Sequence, residues 1–222
     1  WERTGKVWVV KNNQRTLLLD ISDEVGGWSD HGLLGFTLHP NFSENGYFYL
    51  LYVVDRHHLL NFGTGAYSPS VNTYFSATIG RLTRYTALNN GNGYTISPGS
   101  RKILIGETKS TGIPILSQFH GVGSLVFATD ETLLVSTGDG ASSNTDTGSV
   151  GVTYYVQALA DGIILPKENV GAFRSQLVDC LNGKILRIDA ETGSGIPSNP
   201  FYDPAKPDGP ASMVWALGLR NP

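Results

Sequence analysis

The stretch QFHGVGSLVFATDETLLVSTGDGAS, Gln118 to Ser142, decides the fold. SLVFATD and TLLVSTGD are apolar runs with a period near two, separated by Asp130 and Glu131. Val, Leu, Phe and Thr suit a pleated, half-buried surface, so the stretch reads as a β-hairpin across that acidic turn. Ahead of it stands His120, followed by Gly121 and Gly123. Glycine leaves the backbone uncovered, which gives a ligand room to approach closely. As a bare pattern, His120 is either a turn residue that happens to carry imidazole or a base at the mouth of a site.

Outward from this hairpin the same periodicity recurs. KVWVV, TLLLDI, GLLGFTLHP, YFYLLYVVD, GRLTRYTAL, KILIGE, GKILRIDAE and MVWALGL read as further strands, punctuated by Gly, Asn, Asp and Pro. KVWVV and TLLLDI pair across KNNQR. With 27 glycines and 11 prolines, the pattern predicts an antiparallel all-β architecture, a propeller or a sandwich. Two long connections, Arg56 to Thr78 and Gly140 to Leu181, have the length of functional loops or lids, and the later part of the second predicts a helical turn. The ends, at Trp1 and Pro222, read as those of a section of a longer polypeptide.

Composition narrows the function. Of 222 residues, 40% are hydrophobic and 16% charged, enough apolar material for a core and too little charge for disorder. A net charge of -3 with no basic run disfavours a nucleic-acid partner. No apolar stretch approaches the ~18 residues of a membrane span. One cysteine, Cys180, cannot form an internal disulfide. HExxH, CxxC, GxSxG, the P-loop and the dinucleotide fingerprint are all missing from the sequence. His39, before a proline, reads as a structural turn histidine, and His57 and His58 as exposed loop residues. Asp139 and Asp146 have oxygens that could serve a calcium ion, but GDGASSNTDTG lacks EF-hand spacing and reads as an Asx-rich turn.

Four ordered segments carry a resemblance. DHGLLGFTLHPNFSENGYFYLLYV, QFHGVGSLVFATDETLLVSTGDGAS, LNGKILRIDAETGSGIPSNPFYD and VWALGLRNP together resemble the soluble quinoprotein glucose and sorbosone dehydrogenases. The resemblance implies a six-bladed β-propeller, with residues 1–222 forming a partial propeller domain of about half the blades. It implies pyrroloquinoline quinone and calcium at the mouth of the central channel, oxidation of the anomeric carbon of an aldose, and a bacterial periplasmic or secreted protein passing electrons to an external acceptor. Matched residue by residue, His120 falls on the catalytic base that takes the anomeric hydroxyl proton while hydride passes to the quinone. Arg220 and Asn221 fall on the Arg-Asn pair beside the cofactor, and Asp30 falls where the family carries Gln or Glu near cofactor and sugar.

The chemistry is coherent with those residue types. Imidazole titrates near neutrality and can accept a proton at working pH, and a guanidinium holds developing oxyanion charge without exchanging protons. Two features depart from the family. Phe119 stands before His120 where members carry Asp or Asn, leaving the histidine without that polar neighbour, and the cofactor-clamping lysine and arginines and the calcium ligands have no counterpart in these residues. The alternative is a propeller binding module, for carbohydrate or protein, that has lost its cofactor.

Overall fold

The computed structural model describes residues 1–141 and 154–222. Its elements are those of an antiparallel all-β protein. The hairpin of β1 (Lys6–Lys11) and β2 (Gln14–Asp20) turns at Asn12 and Asn13, whose φ values of 52° and 61° are ones that asparagine tolerates and two-residue hairpins require.

The second sheet is built on β3 (Leu33–Leu38), β4 (Tyr47–Val53) and β5 (Thr78–Asn89), in that order. β4, YFYLLYV, lies between two neighbours and is buried along nearly its whole length, which explains a continuous apolar run where an alternating one would mark a half-exposed strand. Along the other edge of β5 run β6 (Tyr94–Ile96), β7 (Lys102–Ile105) and β8 (Ile113–Ile115), which pair with successive parts of it. β6 and β8 went unread in the sequence because each is three residues long, and β8 contains Pro114, which suits an edge position.

The third sheet has the order β12-β11-β10-β9, with β9 at Val122–Phe127, β10 at Leu133–Thr137, β11 at Lys184–Ile188 and β12 at Val214–Leu217. The sheets meet where β3 lies against β9: a Cβ on Gly35 would come within 3.0 Å of Leu125 and 3.1 Å of the Gly123 carbonyl. Tyr49, Leu51 and Val53 of β4 pack there with Leu125, Leu133, Leu186 and Val214. The opposite residues of β4, Phe48, Leu50 and Tyr52, pack toward Val7 and Ile21 of the first hairpin.

Short helices fill the connections: α1 (Phe42–Asn45), α2 (Arg56–Asn61), α3 (Tyr155–Asp161) and α4 (Pro210–Met213), with a 3-10 turn at Ala172–Gln176 in the segment that predicted one. His57 and His58 are therefore not exposed loop residues. Asp55 caps α2 through the His57 amide at 2.8 Å, and His58 is buried against Phe62 and Tyr67. His39 is the turn residue expected, accepting from the Asn41 amide at 3.1 Å.

An even number of antiparallel strands returns the chain to the end where it started. In the third sheet the residues before β9 and those after β12 consequently lie together, and the Asp30 amide, before β3, bonds the Gln118 carbonyl at 3.3 Å. One end of the molecule collects His120, Arg220 and the backbone of Asp30.

Candidate active site

His120 occupies the turn into β9 with φ 54°, an uncommon conformation for a residue other than glycine. The neighbouring strand end fixes it. Gly138 donates to the Gly121 carbonyl at 2.6 Å and Gly140 to the His120 carbonyl at 3.0 Å. The approach is so close that a Cβ on Gly138 would lie 2.2 Å from the His120 oxygen. Glycine is required there for lack of space.

This pairing places Asp139 beside the imidazole. His120 Nδ1 lies 2.9 Å from Asp139 Oδ1, with the His120 side chain 13% exposed and that of Asp139 3%. A carboxylate only accepts, so Nδ1 carries a proton and donates; in the neutral imidazole that makes Nε2 the nitrogen with the lone pair. The same Oδ1 accepts from the Ala141 amide at 2.9 Å, and the Asp139 amide donates to the Arg220 carbonyl at 2.8 Å. The missing polar neighbour at Phe119 is thus replaced from across the hairpin; the Phe119 ring lies 6.4 Å from that of His120. Asp139 escaped recognition because its turn composition also suits an Asx turn; the continuing register, with Thr137 opposite Val122, was the signal that places it across from His120. Asp146 lies outside the described residues.

Arg220 and Asn221 follow β12 and are exposed, with the Arg220 backbone tied to Asp139. Asp30 is exposed at the same end, held through its amide rather than brought to the imidazole. His31, which the sequence reading passed over, is fully buried: its Nε2 donates to the Ser117 carbonyl at 2.8 Å, its ring stands edge-on to Trp28, and its Nδ1 would touch a Cβ on Gly121 at 2.7 Å. Burial pushes the His31 imidazole below its ordinary value, which keeps it neutral beneath the turn.

Two buried cations underlie the site. Arg174, 1% exposed, donates to the carbonyls of Asp139, Gly140 and Glu168, and Lys184, fully buried, donates to those of Arg174, Ser175 and Asn182. Burial pushes the Lys184 ammonium down to about 8 and the Cys180 thiol up to about 11, so Cys180 is no thiolate nucleophile at neutral pH.

An oriented imidazole can take a proton from a hydroxyl at its lone-pair nitrogen, and Arg220, exposed and joined to this turn through its backbone, brings a positively charged residue type suited to an anionic partner. That donor set fits one flank of a polyanionic quinone. Among the described residues no three His, Cys, Asp or Glu cluster as a metal site. No helix among them is long and apolar enough to cross a membrane.

The fold and site define an all-β protein with an imidazole paired to a carboxylate at the shared end of two sheets. A model of the glucose/sorbosone dehydrogenase family matches residues 1–222, and the chain belongs to that family. Similar structures are a quinone-bound aldose sugar dehydrogenase from Streptomyces coelicolor (20% identity, TM-score 0.58, 98% of this chain and 46% of that one) and the apo aldose sugar dehydrogenase of Escherichia coli (18%, 0.56, 99% and 47%). The HIPL2 protein of Arabidopsis thaliana is 26% identical over 98% of this chain and 32% of its own length. The chain spans about a third of that relative and about half of the solved ones.

Proposed function

We propose that the whole protein is a quinoprotein sugar dehydrogenase that oxidises the anomeric carbon of an aldose. The carrying observation is the His120–Asp139 pair at 2.9 Å, set at the end of the molecule that also bears Arg220, in a chain of this family. Asp139 holds the Nδ1–H, so Nε2 receives the anomeric hydroxyl proton. Loss of that proton builds the alkoxide character that drives hydride from carbon. Arg220 supplies fixed positive charge at the rim, Asn221 and Asp30 supply polar contacts there, and Phe119 gives the sugar an apolar neighbour. Pyrroloquinoline quinone, when bound, supplies the hydride acceptor.

The same reading makes the chain a partial propeller domain of about half of six blades, its remaining cofactor contacts and the calcium ligands coming from the other half of the relatives' length. It places the protein in the periplasm or outside the cell, with an external electron acceptor. The test uses the full-length parent: add pyrroloquinoline quinone and calcium to the apo protein and follow dye reduction with a panel of aldoses. Saturable, calcium-dependent turnover supports the reading. Absence of quinone binding at micromolar concentrations overturns it and leaves the cofactor-free binding module.

A further inference from the structure

The Arg174 guanidinium is almost wholly buried, yet it forms none of the described ion pairs. A buried cation is costly to desolvate and persists where its donors are well satisfied. Here they reach backbone carbonyls: Nε to Asp139 at 3.2 Å, Nη2 to Gly140 at 3.0 Å and Nη1 to Glu168 at 3.3 Å. The first two belong to the residue that grips the imidazole and the residue whose amide holds the His120 carbonyl.

From this geometry we infer that Arg174 is a positioning residue, fixing the peptides of Asp139 and Gly140 so that His120 presents Nε2 in a single tautomer. The inference rests on the reading of His120 as the base. The Asp139 amide is anchored by Arg220 and its carbonyl by Arg174, so only side-chain rotation remains, and the Ala141 amide and His120 Nδ1 fix that. The left-handed backbone at His120 adds a reason for such support, since a strained conformation persists only when its surroundings over-determine it. The guanidinium holds its Nε and Nη2 donors in a fixed planar fork, so the two carbonyls they reach are set in direction relative to each other; an ammonium carries charge without that fixed geometry. The 3-10 turn at Ala172–Gln176, remote in sequence from both strands of the hairpin, thereby acts on the site.

The test is histidine-selective 15N NMR of the apo full-length protein, with the His120 signal assigned by its loss in His120→Gln. The parent is expected to show the pure Nδ1–H tautomer. Arg174→Met, confirmed folded by near-UV circular dichroism, is expected to show a mixture with Nε2–H and to lose turnover by about 10²-fold, the usual consequence of a small misplacement of a reacting group. A folded Arg174→Met that keeps the pure Nδ1–H signature overturns the inference. Should that variant fail to fold, Arg174→Lys keeps the charge without the fork, and the same two results decide. A tautomer shift in a protein that oxidises no sugar upholds the positioning role and removes the dehydrogenase reading; sugar oxidation with an unshifted tautomer does the reverse.

Discussion

At the scale of single residues, the base and its partner make separable predictions. His120→Ala in the full-length protein should lower turnover by ~10²–10⁴-fold, the contribution of a positioned base, while the melting temperature stays within a few degrees. Asp139→Asn should cost as much or more, because an amide facing Nδ1 admits the wrong tautomer, an effect worth ~10⁴-fold in triad enzymes. Steady-state kinetics with the best aldose checks both, and a variant of either kind that keeps most of its rate removes that side chain from the mechanism. Gly138→Ala acts differently. The new methyl would meet the His120 carbonyl at 2.2 Å, so the paired turns must separate, with a stability loss of about 1–3 kcal/mol in urea titration beside the loss of rate.

Among elements, β9, β10 and the turn between them were legible because their alternation is undisturbed, and the same local signal gave β1 and β2. β6 and β8 were not, since three residues carry no period and their place is set by tertiary pairing with β5 and by packing on the core. The site divides the same way. His120 could be found from the glycines around it, whereas Asp139 depends on register across the hairpin and Arg174 on a contact 35 residues apart in sequence. Lys184 shows how a strand start can hide a charge. It is fully buried at the first position of β11, and the carbonyls of Arg174, Ser175 and Asn182 take its donors at 3.0, 3.0 and 2.5 Å. Lys184→Met should destabilise the protein at pH 7 by about 1–3 kcal/mol, because those carbonyls lose a partner away from water. The pH dependence has a definite sign. Burial lowers the ammonium from 10.5 to about 8, so between those values the unfolded chain binds more protons and stability rises with pH. Urea midpoints across that interval should therefore climb in the parent relative to Lys184→Met; a constant difference would show that Lys184 titrates as an ordinary lysine.

For the whole molecule, the two faces of the third sheet tell different stories. Leu125, Leu133, Val135, Leu186 and Val214 lie in the core against β4, while Leu134 and Ile185 on the reverse are only half-buried and Val126 and Trp215 are exposed. A sheet with apolar residues on both faces is built to be covered on both. The chain spans about half of its solved relatives, and we expect the rest of the full-length protein to lie on that reverse face, as the next blade of the proposed propeller. Ile185→Asp discriminates, since Ile185 is half-buried within β11 and its partner across the ladder is Ala216. If the face is covered, the substitution buries an unpaired carboxylate, and the full-length protein should lose several kcal/mol in urea titration, far beyond the ~0.5 kcal/mol typical of a surface change. If the face stays open to water, the aspartate is solvated and the midpoint barely moves. The second outcome would leave Val126 open to water and Trp215 covered only by the Arg187 guanidinium, 4.9 Å from its ring, and would end the propeller reading, whatever the chemistry at His120.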